Sequence, residues 1–148
     1  MDCCSHTPST QGSSTLICPV CEQKGKSVKL ITLKALLKPS ALETINPESP
    51  YTFCSNPSCK IVYFSDRQTY SKDALKVSVF QKDKELNVPV CYCFGWTRER
   101  LIQAIEENQR PSDHIREQMQ ANRCGCEINN PQGACCLGNV TTFVRGID

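Results

Sequence analysis

Twelve cysteines in 148 residues constrain this chain more than any other feature, because they come in close pairs. The pairs are Cys3-Cys4, Cys18-x2-Cys21, Cys54-x4-Cys59, Cys91-x-Cys93, Cys124-x-Cys126 and Cys135-Cys136. A disulfide requires a particular Cα separation and dihedral, so C-x-C and C-C pairs do not readily close on themselves. Thiolates that share a metal face no such limit. Only 39% of the residues are hydrophobic, cysteines included. The apolar core is thin without the thiols, and small domains with thin cores lean on metals or disulfides.

Compartment separates those two. The opening stretch MDCCSHTPSTQGSST is polar and lacks the apolar segment of a secretory signal. No apolar run approaches membrane-spanning length, so no membrane insertion is expected. The expectation is a cytoplasmic protein, in a reducing compartment where lasting disulfides are rare. A net charge of +2 is too weak to suggest a nucleic-acid or membrane surface.

Residues 1–15 read as a disordered tail, being polar and rich in Ser and Thr. Residues 16–84 read as a β-rich unit. The runs YTF at 51–53 and KIVYF at 60–64 have strand composition. ALKVSVF at 74–80 alternates Leu75, Val77 and Val79 and reads as a further strand. The polar segment QKDKELN at 81–87 holds the expected boundary, and residues 85–148 read as a helical unit. Thr97 is placed to cap a helix over RERLIQAIEENQ. Ser112 is placed to cap a second over DHIREQMQANR, and a last short helix is expected at about 135–144.

Cys18, Cys21, Cys54 and Cys59 each stand where a turn meets a strand, so the two pairs can present four sulfurs to one point. Tetrahedral zinc takes four such ligands, and four thiolates leave no open position for water, which makes the metal structural. The competing reading of CPVC is a thioredoxin-like redox pair. That motif opens a helix, whereas CPVCEQKGK leads into Gly25.

The other cysteines point elsewhere. Cys91-x-Cys93 is not the usual spacing of a zinc knuckle. A [2Fe–2S] cluster needs four thiolates, two per iron, and two more would come from Cys124, Cys126, Cys135 and Cys136. Neither the bacterial nor the plant ferredoxin spacing occurs, and Rieske ligation would need two histidines near the pairs. The chain has only His6 and His114.

The run CYCFGWT, a helical stretch and then CGCEINNPQGACCLGNV resemble the N-terminal domain of CopZ-type copper chaperones. CPVC and FCSNPSCKIVYF resemble its zinc-binding half. The resemblance covers roughly 16–144. It implies an α+β protein, with a zinc-ribbon-like β unit followed by a small helical unit that binds a [2Fe–2S] cluster. The cluster half is similar to bacterioferritin-associated ferredoxin. With 32 residues between Cys93 and Cys126, Cys126 matches that pattern better than Cys124. The fourth position in the family selects Cys136 over Cys135. The resemblance therefore implies Cys91, Cys93, Cys126 and Cys136 as cluster ligands and Cys18, Cys21, Cys54 and Cys59 as zinc ligands.

Full chaperones of this kind also carry a C-terminal copper-binding domain with M-x-C-x-x-C, a motif that does not occur in these residues. The implied function is an iron–sulfur and zinc protein of copper homeostasis. It would give redox support, such as reduction of Cu(II) to transient Cu(I), or electron transfer to a redox partner or copper-trafficking protein. A one-electron metal reductase is the only enzymatic activity expected. The rival readings are an electron-transfer or cluster-delivery protein of the bacterioferritin-associated type, and a plain zinc-binding interaction module. Cys3, Cys4 and His6 are soft ligands in the tail. Tyr92, Phe94 and Trp96 are expected to cover the cluster, and His114 to lie at the surface.

Overall fold

The computed structural model describes residues 16–147, so the expected tail with Cys3, Cys4 and His6 lies outside the described residues. The chain is α+β, an antiparallel sheet followed by helices. Strands β1 (Lys26–Val28), β2 (Tyr51–Phe53), β3 (Ile61–Phe64) and β4 (Thr69–Ser71) pair in that order, each antiparallel to the next. The register sets Lys26 opposite Phe53, and Thr52 opposite Phe64. The strand expectations at 51–53 and 60–64 agree with β2 and β3.

Between β1 and β2 the chain forms α1 (Leu30–Leu36) and α2 (Pro39–Leu42). Helix α1 buries Leu33 and Leu36, one turn apart, and Leu33 joins the core cluster of the sheet. It ends because Lys38 precedes a proline, which pushes its backbone into the extended region, and Pro39 then opens α2. Leu33, Leu37, Phe53, Val62, Tyr63 and Val79 are almost fully buried between helix and sheet.

Residues 74–80 do not form the expected strand. A turn of 3-10 helix at Lys72–Ala74 leads into a single bridge between Leu75 and Leu37. Lys38 N–H donates to Ala74 and Lys76 N–H donates to Leu36, so the backbone bonds go to the end of α1 rather than to the sheet. Leu75 and Val79 are nonetheless buried. Their alternation reflects two plugs in the core, not a strand face.

The second half opens with a hairpin absent from the sequence reading, β5 (Pro89–Cys91) and β6 (Trp96–Thr97). Gly95 supplies a left-handed residue (φ 69°) in its turn. Four helices follow: α3 (Arg98–Glu106), α4 (Pro111–Gln120), α5 (Cys126–Asn129) and α6 (Leu137–Ile147). Thr97 caps α3 as expected, its hydroxyl accepting from Arg100 N–H. Ser112 caps nothing. The helix starts two residues earlier than expected, at Pro111, whose fixed φ and missing N–H suit a first helical position. Helix α6 packs on α3, α4 and β5 around Val140.

Helix α5 lies on α1, flanked by an exposed ion pair between Lys29 and Glu127 at 2.7 Å. Beneath it, the fully buried Tyr63 of β3 donates its hydroxyl to the carbonyl of Pro131. A sheet residue is thus tied to the loop after α5. Tyr63→Phe removes the donor but keeps the ring, and the buried carbonyl then loses its partner. The expected loss is about 1–3 kcal/mol, read as a lower denaturation midpoint with an unchanged slope.

Candidate metal centres

The first centre is built from two tight turns. In the CPVC turn, Cys18 N–H donates to Gln23 and Glu22 N–H donates to Cys18. Glu22 takes a left-handed φ of 62°, which folds the turn back so that Ile17 bridges Lys24. In the CSNPSC turn, Asn56 accepts from Ser58 N–H on its side chain and from Cys59 N–H on its carbonyl. Cys54 N–H bonds to Val62, so this turn grows directly out of the β2–β3 pairing.

The two turns bring Cys18, Cys21, Cys54 and Cys59 together, with their sulfurs all within 4.8 Å of one another. Cys21 lies 3.6 Å from Cys54, and Cys18 lies 3.9 Å from Cys59. Zinc–thiolate bonds of ~2.3 Å put tetrahedral sulfurs about 3.8 Å apart. The observed separations bracket that value, so the four thiols fit one zinc ion.

The electrostatics sort the four. Burial would raise the Cys21 thiol, but bonds from the Asn56 side chain, Gln23 N–H and the neighbouring cysteines bring it down to about 6. Burial pushes Cys54 up to about 12 against the pull of Asn56 N–H and Lys82, and it raises Cys59 as well. Ile61 and Phe64 close the apolar side of the cluster.

The second set is strung out rather than compact. Cys93 lies 3.5 Å from Cys126, and Cys136 shares hydrogen bonds with Cys126 and with Cys91. Among the described residues, only the first set forms a group with all its sulfurs within 4.8 Å. Cys91 comes from the end of β5, Cys93 from the hairpin turn, Cys126 from the start of α5 and Cys136 from the residue before α6. Cys91, Cys126 and Cys136 are buried with Val90, Leu101, Ile115 and Val140, while Cys93 is half-buried.

Gly125 N–H points at the Cys93 sulfur from 3.2 Å, and the Asn129 amide lies 3.7 Å from it. The hydrogen bond with Cys126 raises the Cys93 thiol, and bonds with Cys126 and Cys91 raise Cys136. The Cys136 contact lowers Cys91. Cys135, next to Cys136, turns the other way, its sulfur facing Leu137 N–H at 3.4 Å. Cys124 is disulfide-bonded rather than a free thiol.

The aromatics differ in role. Phe94 and Trp96 pack in the apolar cluster of the second set. Tyr92 turns toward residues 78–80 instead, donating to Ser78 and accepting from Phe80 N–H. His114 is exposed, as expected, but it accepts from the Trp96 indole and meets the Phe94 and Trp96 rings edge-on.

An α+β fold with four convergent cysteines in two sheet-borne turns defines a small zinc-binding domain. A family model described as a zinc binding domain matches residues 15–76. The solved X-ray structure of the Archaeoglobus fulgidus CopZ N-terminal domain aligns with a TM-score of 0.71 at 30% identity, over 86% of this chain and 96% of that one. The copper chaperone CopZ of the same organism is 32% identical over 123 residues. The match covers 80% of this chain and 57% of the relative, so the chain spans a little over half the length of the curated protein it matches. The chain belongs to the family of CopZ-type N-terminal domains.

Residues outside the thiol pairs also hold the first centre. A Cβ on Gly25 would lie 2.4 Å from the Phe53 carbonyl and 2.7 Å from Thr52, so the chain can leave the CPVC turn beside β2 only as glycine. Gly25→Ala should cost about 1–3 kcal/mol by overpacking and speed zinc loss. Gly138→Ala, in α6 with nothing within 4 Å of the added methyl, should instead stabilise by about 0.5–1 kcal/mol. Thermal melts of both variants check the pair.

Proposed function

We propose that the chain is a zinc and iron–sulfur protein that gives redox support to copper homeostasis. On this reading residues 16–84 are a zinc-ribbon-like unit, and Cys18, Cys21, Cys54 and Cys59 hold a structural zinc. Residues 85–148 form a helical unit in which Cys91, Cys93, Cys126 and Cys136 hold a [2Fe–2S] cluster. The observation that carries the second assignment is the string of sulfur contacts from Cys93 through Cys126 and Cys136 to Cys91. A string is too open for one tetrahedral ion, and it suits two metals that each take a pair of thiolates.

Such a cluster, when bound, supplies one electron at a time, the change that takes Cu(II) to the Cu(I) favoured by soft thiolates. The protein's own residues do the rest. Val90, Leu101, Ile115 and Val140 exclude water from three of the four thiols. Gly125 N–H and Asn129 donate to the fourth, and hydrogen bonds to sulfur raise a reduction potential. Half-buried Cys93 marks the side from which an electron has the shortest way out. The partner would be a copper-trafficking protein or a redox protein. Nine of the ten described cysteines are free and Cys124 is disulfide-bonded, a predominance of thiols that suits a reducing compartment, the cytoplasm.

Anaerobically purified protein should be brown, with zinc and with two irons and two acid-labile sulfides per chain. Cys136→Ser should abolish or strongly perturb the iron–sulfur absorption while zinc stays bound, and Cys135→Ser should leave the spectrum intact. If Cys135→Ser is the variant that loses it, the ligand assignment is wrong. Colourless protein with zinc alone would leave only the zinc-binding module.

The copper role has its own measurement. Reduced protein mixed anaerobically with Cu(II) should regain its oxidised spectrum as one Cu(I) forms per cluster, trapped by a Cu(I)-specific chelator. Thiols outside the two proposed centres also reduce Cu(II), so the mixing is repeated on protein with Cys3, Cys4, Cys124 and Cys135 changed to serine. A spectrum that stays reduced would sink the copper role and leave electron transfer without it.

A further inference from the structure

Lys82 is 7% exposed, and the first metal centre, to which no sequence motif connects it, surrounds its ammonium group. An ammonium carries three donors, and three acceptors stand around this one. The carbonyls of Asn56 and Cys59 lie 2.8 Å away, and the Cys54 sulfur lies at 3.9 Å. The carbonyls belong to the turn that presents Cys54 and Cys59. Among the described residues no carboxylate forms an ion pair with it: Asp83, the next residue, gives one oxygen to Lys72 at 2.8 Å and the other to Val79 N–H at 2.8 Å. That bond shapes the turn that aims Lys82 inward, with Lys82 N–H itself bonded to Val79.

A buried cation without a partner is costly. The carbonyls solvate Lys82 but do not neutralise it. Four thiolates around a zinc ion carry an excess of two negative charges, and the only free valence of the ammonium is aimed at one of those sulfurs. Each group supplies what the other lacks.

We propose that Lys82 is a positioning and charge-compensating residue of the four-cysteine centre, holding the Cys54–Cys59 turn by its carbonyls and lowering the electron density on the Cys54 sulfur. The inference rests on the zinc reading of that centre. It makes segment 81–87 a working part of the metal site rather than a spacer.

The test uses the full chain with Lys82→Met, which keeps length and apolar stem but removes the charge, and Lys82→Arg, which keeps the charge. Zinc transfer to a chromogenic chelator should be about 10–100-fold easier from the Met variant, the usual range for groups that orient metal ligands. The Arg variant should stay closer to wild type. Packing alone does not set the energy of a sulfur-to-metal charge-transfer band. In the cobalt-substituted protein, that band should move to lower energy in Lys82→Met, because an uncompensated thiolate gives up its electron more readily, and return toward wild type in Lys82→Arg.

Unchanged zinc transfer and an unmoved band in Lys82→Met overturn the proposal. If Lys82→Met does not fold, a folded Lys82→Arg that keeps zinc at the wild-type rate supports it, and one that loses zinc 10-fold faster with an unmoved band overturns it. Wild-type protein with no zinc, and with no cobalt uptake at these cysteines, would overturn the zinc reading itself. That outcome is distinct from failure of Lys82 alone.

Discussion

The mutual approach of four sulfurs is the constraint on which the first half depends. As thiolates, sulfurs 3.6–3.9 Å apart would repel one another, and a cation such as the zinc that this site fits would hold them together. The binding energy of such a metal would be folding energy. The sheet is short, with no strand longer than four residues, and the turn before β1 and the β2–β3 connection carry the cysteines. Linking the CPVC and CSNPSC turns through one point fixes how β1 enters the sheet and where the β2–β3 hairpin turns. The apolar cluster around Leu33, Phe53 and Tyr63 can then close with few residues.

The second half solves a related problem differently. Its four thiols come from a strand end, a hairpin turn and the starts of two helices, held by the packing of α6 on α3, α4 and β5. Three of the four sulfurs are part of the hydrophobic cluster rather than beside it. The same residues that bury the thiols therefore also hold the helices together. Occupancy of the cluster proposed for these thiols and stability of the helical unit would then be coupled.

Segment 78–85 connects the two halves. From one side Tyr92, which sits between Cys91 and Cys93, bonds to Ser78 and Phe80. Arg98, the buried first residue of α3, donates to the carbonyls of Phe80, Asp83 and Glu85 and stacks over the Phe80 ring at 4.5 Å. From the other side Lys82 reaches the Cys54–Cys59 turn. A segment whose composition suggests a solvated linker is clipped at several points by hydrogen bonds to charged groups, which are stronger than neutral ones.

The sequence by itself determined the local features. Cysteine spacing, β-branched runs, the Thr97 cap and helical periodicity are set within a few residues, where sterics and local hydrogen bonds dominate. The strands at 51–53 and 61–64 and helix α3 were legible for that reason, as was the meeting of Cys18, Cys21, Cys54 and Cys59. Only the tertiary structure decided what depends on residues distant in the chain. Leu75 and Val79 became core plugs because the adjacent backbone bonds to the end of α1. Pro111 rather than Ser112 opened α4, and Cys135 faces Leu137 N–H while Cys136 meets Cys91 and Cys126. Lys82 was invisible for the same reason. A lysine in a polar stretch reads as solvated, and its burial is favourable only because carbonyls and a sulfur more than twenty residues earlier in the chain stand ready to receive its charge.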